Sequence, residues 1–311
     1  MDNNTPICFL NDYIKALILN VDREKIHKKI NLVFDSGALN GIYGMGAALY
    51  IHHLAKLGYI KVKKVSGCSI GSLIGLWYIC GCPDFIYPIA ENLFAYFKNH
   101  KNFFLYKQVV TAVVQHLFPT DDAIKLINGR LYINYYDTKK CKQCVITRFK
   151  NRTHLITCIL RSGHVPFISN GKHKYAGRYV DGIVPTFFKK KITSSRQNLF
   201  ISLFTLNRPT SAFKITNEQN IYTRLIKGVV EANDFYMNSN SDICKYVDDK
   251  NYLIHFQLYM RECFILFILA LIEAIIIIHH KIPVCIRDSF LYNRLASIII
   301  GNLGFIQNNL N

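Results

Sequence analysis

Residues 67–71 read Gly-Cys-Ser-Ile-Gly and lie between an apolar run with strand character and an apolar run with helical character. This Gly-x-Ser-x-Gly pattern is typical of a nucleophile elbow, a sharp strand-to-helix turn that exposes a serine hydroxyl. Gly67 and Gly71 are expected where the helix passes so close to neighbouring backbone that a side chain would collide with it. The pattern therefore predicts Ser69 as a nucleophile.

The segments around the elbow alternate between strand and helix patterns. Short apolar runs at 31–35 and 62–66 predict buried strands. Apolar side chains recur at helical spacing over 44–57, and the apolar segment 72–79 predicts a second helix. This order of elements predicts an α/β fold with a mainly parallel sheet. Further along the chain we expect an aromatic-rich helical region at 84–128, strands at 145–149 and 198–204, and a helix at 154–160.

Two further stretches have the composition that ester hydrolysis requires. A serine hydrolase needs an activated hydroxyl, a base and donors for the developing oxyanion. The small residues of 35–41, Asp-Ser-Gly-Ala-Leu-Asn-Gly, allow backbone N–H groups to approach a bound carbonyl, although an ordinary strand-to-helix turn has the same composition. Asp181 follows a strand-like run and precedes Gly182. That position suits a base, but Asp-Gly is also typical of a hairpin turn.

Taken in order, these stretches resemble the patatin-like phospholipases, including their animal triglyceride-lipase branch. Members of that family begin with a strand, a glycine-rich oxyanion loop and a helix, continue to Gly-x-Ser-x-Gly, and carry a later Asp-Gly motif. Segments 34–46, 67–71 and 181–182 match these parts, and 161–167 is similar to the family's Ala-Ser-x-x-x-Pro segment. The resemblance covers residues 30–205.

The resemblance implies a three-layer α/β/α core with a mainly parallel central sheet. It also implies that Ser69 attacks a lipid ester to form an acyl-enzyme and that Asp181 accepts its proton, with no histidine in the mechanism. Backbone N–H groups of Gly37, Ala38 and Leu39 then hold the oxyanion. The residues that support these motifs are Ser36, Gly41, Gly67, Gly71 and Gly182.

The chain departs from the family pattern at three places. The family's glycine triplet is Ser36-Gly37-Ala38, the basic residue two positions later is Asn40, and the second glycine after the aspartate is Ile183. Serine and alanine fit the loop at negative φ, whereas a φ above zero at either position would strain it.

Two alternatives stay open at this point. The altered glycine loop favours an inactive patatin-fold protein that binds membranes without hydrolysis. Gly-x-Ser-x-Gly also occurs in α/β-hydrolases with a Ser-His-Asp triad, for which His255, His279 and His280 are available. That fold runs through several strands before its elbow, and only one strand–helix unit precedes Ser69. The order of the motifs therefore favours the Ser69–Asp181 dyad.

The segments suggest a lead-in at 1–29, a catalytic domain at 30–205 and a mostly helical C-terminal region at 206–311. The most hydrophobic segment, 263–278, has 16 residues including Glu273. This is fewer than the roughly 20 apolar residues that a spanning helix needs. The sequence therefore favours a buried core helix or an in-plane membrane contact over a membrane span.

The formal net charge of +18 favours anionic partners. Because no zinc-finger, homeodomain or RNA-recognition signature accompanies this charge, we expect an anionic membrane or lipid-droplet surface rather than a specific nucleic acid.

The N-terminus lacks the pattern of a secretory signal. The ten cysteines are therefore expected as free thiols in a reducing compartment, which predicts a cytoplasmic protein that associates peripherally with membranes. Cys141 and Cys144 form a lone Cys-x-x-Cys, and the histidine pairs at 52–53 and 279–280 have no carboxylate or thiol at ligand spacing. We expect structural thiols, no metal site and no cofactor.

Overall fold

The computed structural model describes residues 6–81, 83–189, 196–204 and 220–289. In chain order the elements are α1 (Pro6–Ile18), β1 (Lys29–Phe34), a 3₁₀ helix (Ala38–Asn40), α2 (Gly41–Lys56), β2 (Lys61–Cys68), α3 (Ile70–Cys80), α4 (Pro83–His100), α5 (Tyr106–Leu117), a second 3₁₀ helix (Asp122–Ile127), β3 (Leu131–Asp137), β4 (Lys142–Ile146), α6 (Arg152–Ser162), β5 (Tyr179–Asp181), β6 (Gln197–Ile201), α7 (Tyr222–Asn238), β7 (Cys244–Val247), α8 (Tyr252–Lys281) and α9 (Val284–Arg287).

The central sheet has the order β4-β3-β2-β1-β6-β7, and β5 also pairs with β3. Strands β3, β2, β1 and β6 run parallel, whereas β4, β5 and β7 join the sheet antiparallel. The predicted parallel arrangement is therefore found at the centre, and the sheet as a whole is mixed. Parallel strands end at the same edge of a sheet, so the segments after β1 and β2 lie side by side.

The four elements predicted around the elbow are confirmed as β1, α2, β2 and α3, and the helix predicted at 154–160 is α6. The strand expected at 145–149 lies earlier, because β4 pairs with β3 and this pairing ends at Ile146. The strand expected at 198–204 ends at Ile201, where the chain leaves β6 toward the site described below.

One face of the sheet is covered by helices. Successive strand residues point to opposite faces, so Leu32 and Phe34 of β1 join the core that includes α2 and α7, while Val33 faces the other side. Helices α2 and α7 cross in close contact: a Cβ on Gly46 or Gly228 would overlap a backbone carbonyl of the other helix. Helix α7 is therefore part of the same core as the elbow.

The opposite face is covered in part by the beginning of α8. Leu258 and Ile254 pack against Val33 and Phe200. Arg261, one turn after Leu258, is also buried. Beyond Arg261 the helix exposes most of its apolar side chains. The large ones on this exposed surface include Phe264, Phe267, Ile268, Leu271, Ile275, Ile277 and Ile278.

Helix α8 corrects the expectation for segment 263–278. It has 30 residues, and by length and composition it is apolar enough to cross a membrane, with a mean hydropathy of 2.5 over its most apolar window. None of that window is buried in the protein. The expectation of a buried core helix is therefore wrong, because hydropathy does not specify whether protein or lipid covers an apolar helix. The expected boundary between 205 and 206 lies outside the described residues.

Candidate active site

Ser69 occupies a strained turn between the end of β2 and the start of α3. Its backbone has φ 54° and ψ −130°, a conformation that costs about 1–3 kcal/mol for a non-glycine residue. Surrounding groups hold it there: Ser69 N donates to Ser162 Oγ at 2.9 Å, and Ser72 Oγ donates to the Ser69 carbonyl at 2.7 Å. The sequence predicted this elbow, and the structure contains it.

The two glycines of the elbow are required by close backbone contacts. A Cβ on Gly71 would lie 2.5 Å from the carbonyl oxygen of Asp35, and a Cβ on Gly67 would overlap the carbonyl of Gly71. These contacts press the start of α3 against the ends of β1 and β2. Burial raises the pKa of the adjacent Cys68 thiol well above its ordinary value, so Cys68 stays protonated.

Asp181 lies beside Ser69, although 112 residues separate them in sequence. Both residues line the same cavity. The Asp181 carboxylate accepts a hydrogen bond from Ile183 N at 2.9 Å. Burial raises the pKa of Asp181 to about 6, and the polar groups of Ser69 and Ile183 limit the rise. At neutral pH the carboxylate is therefore mainly ionised and can accept the serine proton.

The loop before α2 places backbone N–H groups near the same serine. Gly37, Ala38 and Leu39 lie at the start of the first 3₁₀ helix, which continues into α2. The first N–H groups of a helix lack intrahelical acceptors and lie at its positive end. Ala38 lines both of the cavities that Ser69 lines, and Leu39 lines one of them. This loop therefore borders the cavities at Ser69, and its role as an oxyanion hole stays a prediction.

The supporting residues of this loop have steric roles. A Cβ on Gly37 would lie 2.6 Å from Cβ of Leu203, and a Cβ on Gly41 would overlap the Ile70 side chain. Ser36 Oγ donates to the Ile183 carbonyl at 3.3 Å, which links this loop to the segment after Asp181. A Cβ on Gly182 would likewise overlap the carbonyl of Asn134 in β3.

The three departures from the family pattern have visible consequences. Ala38 has φ 46° and Ile183 has φ 57°, so both adopt the left-handed region that favours glycine. Asn40 Nδ2 donates to the Leu203 carbonyl at 2.9 Å, and Asn40 Oδ1 accepts from Arg224 at 2.9 Å. A buried cation from α7 thus reaches the loop where the family has its own basic residue.

A buried ion pair connects α8 to this site. Arg261 binds both carboxylate oxygens of Asp35, at 2.9 and 2.6 Å, and donates to the Ile183 carbonyl at 2.8 Å. The side chains of Arg261 and Asp35 are 4% and 0% exposed. Asp35 also accepts from Ser36 N at 2.9 Å. Arg261 therefore fixes the segment that precedes the oxyanion loop and the segment that follows Asp181.

Sequence reasoning did not find Arg261 or Arg224. Arg261 flanks the most apolar segment of the chain, where a basic residue is typical of a helix that ends at a membrane surface. Asn40 and Arg224 are 184 residues apart. Nothing in their spacing indicates contact, so only the folded chain reveals either role.

Two apolar cavities meet at Ser69, each with an empty volume of about 630 Å³. The first extends between α2 and α4 and is lined by Met45, Leu93 and Phe103. The second extends past Asp181 to the inner side of α8, where Ile265 and Leu269 form its wall. Ser69, Ala38 and Val165 line both cavities.

Histidine and metal chemistry find no support in the described ranges. Neither cavity is lined there by a histidine. His164, the histidine whose carbonyl binds Asp181 N, has a buried ring, and burial lowers its pKa to about 4. No three His, Cys, Asp or Glu side chains of the described ranges form a group that could hold a metal ion. Cys141 and Cys144 form no disulfide.

The fold and the site together define a class: an α/β/α domain that carries a serine on a strand-to-helix elbow beside a half-buried carboxylate. The family model for patatin-like phospholipases matches residues 32–185. These residues are a patatin-like phospholipase domain, which confirms the resemblance seen in the sequence. The chain is 27% identical over 169 residues to human patatin-like phospholipase domain-containing protein 4. That alignment covers 50% of this chain and 64% of the human protein, which is less than two thirds of its length.

The buried ion pair gives a first prediction. Arg261→Met leaves the Asp35 carboxylate buried and unpaired, so the free energy of unfolding should fall by about 3–5 kcal/mol, measured by urea denaturation. Lys125→Met is the matched control, because Lys125 and its partner Asp122 are both exposed; its loss should stay below about 1 kcal/mol. The double variant Asp35→Asn/Arg261→Met tests whether the two residues act as a pair. Its loss in the free energy of unfolding should be smaller than the sum of the two single-variant losses by at least about 1 kcal/mol. Additive losses would contradict the role of this pair.

The raised pKa of Asp181 gives a second prediction. The folded protein holds the Asp181 proton up to about pH 6, whereas the ordinary pKa of an aspartate is 3.8. The stability that this proton provides is full below pH 4 and is lost as the pH rises through 6. Asp181→Asn should therefore raise the free energy of unfolding by up to about 3 kcal/mol at pH 7.5, and by much less at pH 4.5. A difference from wild type that does not change between these pH values would refute the prediction.

Proposed function

We propose that this protein is a serine lipid acyl hydrolase that cleaves carboxylic esters of lipids through Ser69 and Asp181. The observation that carries the proposal is that Ser69, on a strained strand-to-helix elbow, lines the same apolar cavity as the Asp181 carboxylate. The patatin-like phospholipase domain supports lipid ester hydrolysis at the level of the family.

The proposed reaction proceeds through an acyl-enzyme. Ser69 Oγ attacks the ester carbonyl while Asp181 takes the hydroxyl proton, and the N–H groups of Gly37, Ala38 and Leu39 bind the oxyanion. The tetrahedral intermediate collapses, and the leaving alcohol receives the proton from Asp181. Asp181 then takes a proton from water, whose oxygen attacks the acyl-enzyme. Collapse releases the fatty acid and returns the proton to Ser69.

The shape and chemistry of the cavities support a lipid substrate. Ligand sites of this size are lined mainly by apolar groups, with a few polar groups that fix orientation. Here Met45, Leu93 and Phe103 offer an apolar path for an acyl chain, and Ser69 lies at its end. The pKa of Asp181 near 6 suits a base at neutral pH, since it is ionised there yet retains affinity for a proton.

The two alternatives receive less support. A Ser-His-Asp triad needs a histidine beside Ser69, and His255 instead contacts the Asp248 carbonyl and the Phe187 ring. One observation does favour an inactive scaffold: Ala38 adopts a left-handed backbone conformation, which strains alanine but not glycine. A scaffold has no need for a serine and a carboxylate in one cavity or for the strained elbow, and strain of this kind clusters at functional sites.

Covalent labelling tests the nucleophile. A fluorophosphonate probe should label the wild-type protein, and Ser69→Ala should lose labelling and lower ester hydrolysis at least about 100-fold. Ser241→Ala is the control, because Ser241 lies in the turn before β7 and lines neither cavity. The Ser241→Ala variant should be labelled to the same extent as the wild-type protein. Folded wild-type protein that resists the probe would favour the inactive scaffold. Fatty-acid release from a panel of phospholipids and neutral glycerides then identifies the lipid class.

We further propose that α8 rests in the plane of a lipid surface. Two polar residues hold one side of it against the domain: Arg261 binds Asp35, and Glu273 binds Lys174 at 2.6 Å. Between them Ile265 and Leu269 line the cavity beside Ser69. Crossing the membrane would detach Glu273 and place its charge in hydrocarbon, which is costly. In-plane contact keeps both ion pairs and covers the exposed apolar side.

Vesicle binding tests this orientation. A triple variant removes three exposed apolar side chains of α8: Phe264→Ser, Phe267→Ser and Leu271→Ser. These residues are 61%, 58% and 44% exposed, respectively. The triple variant should lose at least about 10-fold in affinity for preformed anionic vesicles, measured by co-sedimentation, because less apolar area enters the lipid. Hydrolysis of a soluble short-chain ester should be retained. Leu126→Ser, at a 73%-exposed position away from α8, is the control. Unchanged vesicle binding by the triple variant would exclude α8 as the docking element.

A further inference from the structure

A cluster of six basic residues lies at the edge of the sheet where the parallel strands begin. Three cations lie in one row across neighbouring strands. Lys29 in β1 is the register partner of Lys61 in β2. Ile30 of β1 pairs with Gln197 of β6, so Lys29 and Arg196, the residues just before this pair, also lie side by side. On the next strand pair, Lys64 and Arg130 directly precede the Val65–Leu131 pair. The basic edge is therefore defined by Lys29, Lys61, Lys63, Lys64, Arg130 and Arg196.

This basic edge lines a concave surface with an empty volume of about 1070 Å³. Val62 and Gly129 complete the lining, and no carboxylate of the described residues contributes to it. The nearest carboxylates by register, Asp248 and Asp249, follow β7 and lie beyond β6 at one end of the row. Lys64 lies over the rings of Tyr132 and Phe188, at 5.1 and 5.4 Å, which holds it at the groove.

The arrangement is electrostatically unfavourable without an anion. Neighbouring strands are about 4.8 Å apart. Like charges about 5 Å apart repel one another even in water. Such repulsions add up along the row of Lys61, Lys29 and Arg196, and an anion bound between these cations attracts all of them. Lys29, Lys61, Lys63 and Arg130 are exposed, so they contact an anion with little loss of hydration.

We propose that the basic edge binds an anion that carries two or more phosphate groups. The row from Arg196 to Lys61 spans two inter-strand distances, about 10 Å. A single phosphate reaches adjacent cations only, whereas linked phosphates reach all of them. Strand β2 separates Lys61 from Ser69 by eight residues, or about 26 Å. The site is therefore distinct from the cavities at Ser69, and it does not depend on hydrolase activity.

Calorimetric titration of the full chain with inorganic tripolyphosphate tests the proposal. Lys29→Gln, Lys61→Gln and Lys63→Gln together should weaken binding at least about 10-fold, because each removes a charge-assisted contact. The matched control has the same loss of charge elsewhere: Lys107→Gln, Lys142→Gln and Lys245→Gln, which should stay within about twofold of wild type. Equal losses in both triple variants, or no binding by wild type, would overturn the proposal. Ser69→Ala should bind like wild type, which separates this result from the test of the nucleophile.

A second arm distinguishes a free anion from a lipid headgroup. Phosphatidylcholine vesicles with and without a bisphosphorylated phosphoinositide are compared at equal net surface charge, which phosphatidylserine adjusts. A headgroup ligand predicts that only phosphoinositide vesicles compete with tripolyphosphate and that the basic-edge variant loses this competition. A free anion predicts no competition by either vesicle. Tighter binding of a single-stranded oligonucleotide than of tripolyphosphate at equal phosphate concentration would overturn the proposal in favour of nucleic acid.

Discussion

The buried pair between Arg261 and Asp35 is the interaction on which the arrangement of the site depends. Removal of two charges from water is expensive, and only close, fully hydrogen-bonded geometry offsets the cost. Here the guanidinium satisfies both carboxylate oxygens and the Ile183 carbonyl, while Asp35 also accepts from Ser36 N. Through these contacts, three segments that are distant in sequence are fixed together: the end of β1, the loop after Asp181 and α8.

This constraint explains how a strained site persists. Ser69, Ala38 and Ile183 all have positive φ, and each such residue costs free energy that local sequence does not recover. Their positions are set instead by surrounding contacts. The Ser162 hydroxyl holds Ser69 N, and the Ile183 carbonyl binds both Ser36 and Arg261. The alanine and isoleucine that replace family glycines thus adopt a left-handed conformation in segments that these contacts hold in place.

The same ion pair joins the candidate chemistry to the apolar helix. Arg261 lies where α8 leaves the sheet, and Ile265 and Leu269 on the following turns form one wall of the cavity beside Ser69. A movement of α8 would therefore alter the cavity wall and the support of the oxyanion loop together.

The positive charge of the chain is concentrated away from the apolar surface of α8. Six cations lie together at the edge of the sheet where the parallel strands begin. Net charge alone gave no indication of that position.

Local sequence determined the first elements of this protein and the elbow at Ser69. The elbow is specified by Gly67 and Gly71, which flank Ser69, because only glycine fits the close backbone contacts at these two positions. Apolar periodicity specified β1, α2, β2 and α3. The pairing of Asp181 with Ser69 is a prediction from motif order, and the fold places both residues at the same cavity. Tertiary structure alone decided the rest: the roles of Arg261 and Arg224, the antiparallel edges of the sheet and the exposure of α8. The physical reason is that hydropathy and spacing describe a segment by itself, whereas ion pairs, edge pairing and burial depend on which distant segment lies beside it.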